Sequence, residues 1–462
     1  MKRILVKIVI IYVLFNVVLA GVFLSAGGLQ MLRQPTIPAV DSPASLQSDL
    51  KFFHDVVLAN ETDITPEQVK NFESIIENAP TPNTVDDLTL ITLQALAVFD
   101  NAHTTAMTTK MYRLPVRFHW TADGLIIVKT RPEYTALLGQ RVLLLGGKKP
   151  EALLNNVDML IGGGTQSWRR YRSEFLFSAP SALSLLGVEV DSNSVVIQTL
   201  NPDGKDAMEN LGADNQLMSG DPFWDFSHAF PDNESFNTEG WVTLLHRDQA
   251  LPLYLQDTDK LHLLRDLPEH EAIYVRMNAS FANETETLDQ FEQRIVELLS
   301  TNKPNDIVVD FRFNRGGDYT KVLPIVRLLA NAIPAEGRLY LIVGPNTFSA
   351  GIIAASQFKR YAPDQLTVVG SEVGDRLRFR AEGFYPTLPE SGIKLYLTKG
   401  WTDLIDGCGW ADDCWPPNKL FLRKVGSLKV DISVENTWES YRTGKDLVLN
   451  AVFDDIGKRT KH

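Results

Sequence analysis

The amino-acid sequence predicts a mixed fold, α/β in its C-terminal half and α+β overall. Three observations carry that expectation. Residues 46–104 show only helical apolar stripes. Residues 114–147 switch to short strand runs separated by tight turns. From Trp241 onward, strand runs alternate with helical stripes, the pattern of β-α-β units with parallel neighbours and crossover helices. At ~150 residues per domain, a chain of 462 residues holds two to three domains.

Composition narrows the class. Apolar residues make up 44% and charged residues 22%, close to globular averages, which excludes a largely disordered or collagen-like chain. The net charge is −12. That balance argues against nucleic acid or an anionic lipid surface as main partner, since both need a cationic face. Cys408 and Cys414 are the only cysteines, too few for a tetrahedral zinc site or a disulfide scaffold.

The N-terminus reads as an export segment over 1–30. Lys2, Arg3 and Lys7 form a positive start, and no charge follows from Ile8 to Gln30. Small residues at Ala20 and Ala26 suit cleavage. Alternatively, Ile8 to Ala26 stays as a membrane anchor of just sufficient length. Either way the rest of the chain is expected outside the cytoplasm, periplasmic or extracellular. An oxidising compartment would let Cys408 and Cys414 pair across their short loop, with a free buried pair as the alternative.

A Pro- and Ser-containing linker covers 31–45, and a helical region covers 46–110. Its first stripe is Leu46, Leu50, Phe53 and Val57. Its second helix opens on the capping box Thr65-Pro66-Glu67-Gln68, and its third opens at Thr84. A small β module with a polar excursion is expected over 111–230. Strands at 114–120 and 125–128 flank the hairpin turn Thr121-Ala122-Asp123-Gly124, and another strand lies at 141–147. Gly162-Gly163-Gly164 lacks the Lys-Ser/Thr pair of a phosphate loop and reads as a flexible loop. The α/β core occupies 231–462. It has strands at 272–277, 307–311, 339–343 and 366–370, and helices over 287–300, 320–331 and 349–361.

Two stretches of the core suggest chemistry. Asp310-Phe311-Arg312-Phe313-Asn314-Arg315-Gly316-Gly317 ends a buried strand in a loop whose glycines let backbone N–H groups approach a ligand; an ordinary strand-to-helix turn would use the same residues. Thr347-Phe348-Ser349-Ala350-Gly351 opens a helix. Ser349 there is either a plain N-cap or a hydroxyl set beside free N–H groups that stabilise an oxyanion.

The order D-x-R-x-N-x-G-G, then T-x-S-A at a helix start, then a Val-Gly strand end, resembles peptidase family S41. That family includes the tail-specific proteases and the tricorn protease core. Phe99-Asp100-Asn101-Ala102-His103-Thr104 resembles the Asp-Gly-His-Thr segment of many members. Gly139, Val142, Leu144, Gly146 and Gly147 resemble the family's PDZ-like module. The resemblance implies a crotonase-like core over the α/β half and a serine peptidase activity.

It also implies roles. Ser349 matches the nucleophile, and the N–H of Ala350 with one from Gly316 or Gly317 matches the oxyanion hole. The tail-specific branch uses a lysine base, but no lysine lies between Lys359 and Lys394. His103 matches the histidine of the tricorn-like branch; imidazole titrates near neutrality and can take and return the proton. Glu372 is the expected orienting carboxylate, with Asp375 and Asp406 as alternatives. Histidines 54, 119, 228, 246, 262 and 270 show no metal-ligand spacing. The expected partner is a peptide or protein substrate, with no metal or organic cofactor, no nucleic acid, and membrane contact only through the N-terminal segment. Rival readings are a non-catalytic exported binding protein of the same fold and an esterase using the same Ser–His pair.

Overall fold

The computed structural model describes residues 2–40, 44–107, 110–214, 229–231 and 240–459. His228 and residues 215–228 and 232–239 of the polar excursion lie outside them. The N-terminal segment is a helix, Lys2–Ser25, followed by the short helix Gly28–Leu32. Its apolar side chains from Ile10 to Leu24 stand mostly exposed. Among the described residues, no helix is long and apolar enough to cross a membrane. The expected linker is tied down at Thr36, whose backbone N–H and C=O both bond the Asn60 side chain.

The expected helices are present as Leu46–Asn60, Pro66–Asn78 and Val85–Ala97, each opened by a capping box at Ser45, Thr65 and Thr84. A short strand, β1 (Thr105–Met107), follows. The β module is a meander of β2 (Val116–Thr121), β3 (Gly124–Thr130), β4 (Arg141–Leu145), β5 (Ser194–Leu200) and β6 (Asp206–Gly212). β7 (Val242–Thr243) pairs with β3. Thr121 and Gly124 face each other across the predicted hairpin turn.

The α/β half carries β8 (His262–Leu267), β9 (Ala272–Met277), β10 (Asp306–Asp310), β11 (Leu339–Val343) and β12 (Leu366–Gly370). β9 to β12 are parallel neighbours, with Asp310 opposite Ile342 and Val343 opposite Gly370; β8 closes one edge antiparallel. Both faces are covered, which is why β10 and β11 read as near-continuous apolar runs. Helices Leu288–Asn302, Tyr319–Ala332 and Ala350–Tyr361 pack on one face, and helix Leu447–Arg459 on the other. A long hairpin, β13 (Arg378–Phe384) and β14 (Lys394–Asp403), follows, and β15 (Ile432–Ser433) extends the parallel sheet beside β12.

β14 also pairs antiparallel with β1, forming a three-stranded sheet that joins the N-terminal region to the α/β half. The sequence pattern did not reveal this sheet, because β1 is only three residues long. Three hydrophobic cores result, one of them under helix Leu447–Arg459, and two meet near the serine loop. One joins the N-terminal helices, the β module, Phe348 and Leu395. The other fills the α/β face and includes Ala350. Ser349 stands between residues of the two cores.

Candidate active site

Three consecutive parallel strands each end in a loop that supplies one part of the site. Such carboxyl ends are where open α/β sheets bind ligands. After β10, Arg312 is held by Asp310 (Nε to Oδ1, 3.0 Å) and by Asp446 (3.1 and 2.9 Å). The Tyr274 hydroxyl donates to Asp310 at 2.7 Å. These buried ion pairs fix where the loop leaves the sheet, so the charges of Asp310 and Arg312 are structural.

The loop then brings Gly316 against Ser349. A Cβ on Gly316 would lie 2.7 Å from Ser349 Cβ and 3.1 Å from Ala350 N, so only glycine fits. The Gly316 N–H donates to Asn314 Oδ1 at 3.1 Å and is spent there. Among the described residues, no acceptor meets the N–H of Gly317 or of Ala350.

After β11, Thr347 ties the serine turn to β10: its hydroxyl donates to Phe311 O at 2.8 Å and accepts the Gly344 N–H at 3.0 Å. Phe348 N–H donates to Asn314 O at 2.9 Å. Ser349 follows at φ 53°, ψ −126°, a conformation that costs a non-glycine residue of order 1–3 kcal/mol and persists only when its surroundings enforce it. Its hydroxyl does not cap the helix it precedes. The plain N-cap reading of Ser349 is therefore not what the fold uses. Gly351 is required too, since a Cβ there would collide with Asn314 O.

After β12 comes the loop carrying Asp375. Gly374 N–H donates to Thr347 O at 2.9 Å, and Gly374 O accepts from Thr165 N–H at 3.1 Å. Asp375 is buried, and its Oδ2 lies 3.4 Å from His103 Nδ1. Glu372, the expected partner, is exposed, and Asp406 pairs with Arg378 and Lys424 instead. The carboxylate beside His103 is thus Asp375, three residues beyond the expected position. The tight approach of Gly374 to Pro345 and Trp168 turns the chain inward there.

His103 comes from the turn after helix Val85–Ala97 and is 3% exposed. Its ring lies between Phe348, 4.4 Å away, and Phe379, 5.2 Å away and within 10° of parallel. This aromatic slot fixes the ring plane. Nδ1 and Nε2 are both buried, and neither makes a hydrogen bond among the described residues; Asp375 Oδ2 approaches Nδ1 at ion-pair distance only. Phe348 is the chain neighbour of Ser349, so the slot brings imidazole and serine loop together. Arg376 clamps the turn from outside, donating to Asp100 Oδ2 at 2.7 Å.

The Gly162–Gly164 stretch is packed rather than free: a Cβ on Gly163 would lie 2.5 Å from Ala102 N. Trp168 then stacks on Phe348 at 4.1 Å. Lys359 donates to Ser427 O, and Lys394 is exposed. His119 sits 3.2 Å from Glu174 and lines a cavity of about 120 Å³ beside residues 344–346. Neither Ser349 nor His103 lines that cavity.

Comparison with solved structures places this arrangement. The fold is similar to that of mature CPAF. The free form aligns at a TM-score of 0.57 and 11% identity, covering 90% of this chain and 97% of that one. The form complexed with lactacystin aligns at 0.54 and 11%, covering 90% and 98%. The tricorn protease aligns at 0.39 and 14% identity, over 90% of this chain and 37% of its own. No protein-family model matches the chain, and no curated protein matches it in sequence. The alignment with CPAF spans the helical region, the β module and the α/β half together, so the expected mixed α/β fold holds across the chain.

Sequence reasoning reached Ser349, His103, Ala350 and the glycine pair because each lies in a short local motif. It did not reach Phe379 or Thr165. Asp375 stood only among the alternatives. The second glycine of Gly370-Ser371-Glu372-Val373-Gly374 was the available signal for the inward turn.

Proposed function

We propose that this chain is an exported serine peptidase. It would hydrolyse peptide bonds through an acyl-enzyme on Ser349, with His103 as general base and Asp375 orienting it. The observation that carries the reading is a strained serine at a helix start whose chain neighbour Phe348 packs on the ring of a buried histidine beside an aspartate. Ser349 Oγ attacks the carbonyl carbon while His103 Nε2 takes its proton. Asp375 holds the Nδ1–H and stabilises the imidazolium, which then gives its proton to the leaving amine. The free N–H groups of Ala350 and Gly317 are the donors for the oxyanion. Water repeats the sequence on the ester. Similarity to mature CPAF, crystallised with lactacystin, supports the same class. Export is supported by the basic-then-apolar N-terminal helix and by the Cys408–Cys414 disulfide, Cα atoms 5.9 Å apart.

A fluorophosphonate probe tests the chemistry, since only an activated serine reacts. Wild-type protein should label at Ser349, and Ser349→Ala should not. A non-catalytic binding protein is the second reading. It is favoured by one observation: Ser349 Oγ and His103 Nε2 each lack a hydrogen-bond partner among the described residues. Catalytic hydrogen bonds often tighten only around substrate. Absence of labelling at any pH from 6 to 9 would favour the binding protein.

A further inference from the structure

The loops after β10 to β12 are fixed by the sheet, but the turn that carries His103 is not part of it. Its anchor is a buried carboxylate from a distant helix. Glu61 follows helix Leu46–Asn60 and is 7% exposed. Its Oε1 accepts the hydroxyls of Thr104 at 2.9 Å and Thr398 at 2.7 Å, and its Oε2 accepts the Thr398 N–H at 3.0 Å. Asn101 completes the ring: its Nδ2 donates to both threonine hydroxyls at 2.9 Å, and its Oδ1 accepts the His103 N–H at 3.3 Å.

The donor count is consistent. Both threonine protons go to Glu61, both amide protons go to the threonine oxygens, and the amide oxygen holds the backbone of His103. Oε1 takes both hydroxyls and Oε2 takes a backbone N–H, so every contact uses Glu61 as an acceptor, and an ionised carboxylate accepts at both oxygens. A donor in place of Oε2 would oppose the Thr398 N–H and push β14 away from the histidine turn, where the two threonine oxygens lie 3.4 Å apart. Ladder pairing seats Thr105 opposite Tyr396 two residues along β14, so Glu61 fastens helix, histidine turn and β14 at one point.

We propose that Glu61 is a positioning residue of the active site, its carboxylate setting the His103 turn through Thr104, Thr398 and Asn101. The proposal rests on the reading of His103 as the base. Arg380 on β13, itself paired with Asp63, is the charged group that acts on Glu61 from the neighbouring strand.

The test uses the full chain with two variants. Glu61→Gln keeps the shape and an oxygen for the two hydroxyls but sets an amide donor against the Thr398 N–H. Thr104→Val removes one donor and leaves the Glu61–Thr398 bonds. Fluorophosphonate labelling is measured against pH, and hydrogen exchange is followed over residues 99–107. In both variants, labelling should slow at least tenfold, exchange over 99–107 should rise, and Ser349→Ala should keep wild-type exchange there. Labelling within twofold of wild type in both variants overturns the proposal. If wild-type protein does not label at all, the peptidase reading fails by itself. Exchange then decides: faster exchange in Glu61→Gln upholds the clamp, and unchanged protection in both variants overturns it. Should Glu61→Gln fail to fold, Thr104→Val alone decides by the same measures.

Discussion

Ser349 and His103 reach one place by different physical routes. Ser349, Gly316 and Asp375 hang from three adjacent parallel strands, and backbone hydrogen bonds tie their loops to each other: Phe348 to Asn314, Gly374 to Thr347. His103 arrives on a turn outside that sheet, held by side chains: Glu61, Asn101, Thr398, Phe379 and, through its neighbour Asp100, Arg376. The lesson is one of tolerance. A loop fixed by main-chain contacts survives many side-chain changes; a turn fixed by side chains is undone by one. The nucleophile side of the site should therefore behave as a rigid unit and the base side as an adjustable one.

The largest effect tests the rigid side. Ser349→Ala should abolish turnover, a loss on the order of 10⁴-fold or more, because the attacking atom is gone. The fold should persist, since the serine hydroxyl caps nothing, and its melting temperature should not fall. A variant that keeps cleaving peptides removes Ser349 from the mechanism.

Next comes the base. His103→Ala should slow kcat/KM by about 10²–10⁴-fold, the usual range for losing a positioned base. The double variant with Ser349→Ala should be little worse than either single one. If instead Lys359→Ala or Lys394→Ala destroys activity while His103→Ala does not, the base side has been misplaced and a lysine takes the role.

What could be read from sequence follows the same division. The strands over 272–277, 339–343 and 366–370 coincide with β9, β11 and β12, because apolar runs bounded by turn residues are local signals. Ser349 and Gly316 were legible for the same reason: the glycines mark close backbone approach. The carboxylate was not. Glu372 and Asp375 lie on one loop, and which of them turns inward depends on Gly374 packing on Trp168, far earlier in the sequence. Gly163 was likewise misread as flexible, since nothing near it reveals that it touches Ala102. The β1–β14 ladder and Glu61 are also long-range, and periodicity carries no information about them.

Asp375 and Glu372 sharpen the comparison directly. Asp375→Asn should cut kcat by about 10²–10⁴-fold while leaving KM nearly unchanged, since an amide stabilises the wrong tautomer and no imidazolium. Glu372→Gln should leave kcat and KM within about twofold, as expected for an exposed side chain. Steady-state kinetics on any peptide that wild-type protein cleaves separates the two; the opposite order would restore Glu372 as the orienting group.

The smallest effect is on stability and belongs to the adjustable side. Burial pushes Glu61 up from its ordinary 4.5 to about 7, against the lowering effect of the Thr398 and Thr104 hydrogen bonds and of Arg380. Folded protein therefore holds a proton at Glu61 that the unfolded chain has already lost between those two values. Where the native state binds the extra proton, stability falls as pH rises. The contribution is fully present below about 4.5 and is lost as pH climbs through about 7, an amount on the order of 3 kcal/mol at 1.36 kcal/mol per unit. Urea melts of wild type and Glu61→Gln between pH 4.5 and 8 would measure it, the difference between them isolating this group from every other carboxylate. The variant should lose the corresponding slope while keeping the rest of the profile. Parallel profiles would mean that Glu61 ionises near its ordinary value in the folded chain. The His103 turn would then be held by a carboxylate that costs the fold nothing at neutral pH, and would be no more adjustable than the strand loops it faces.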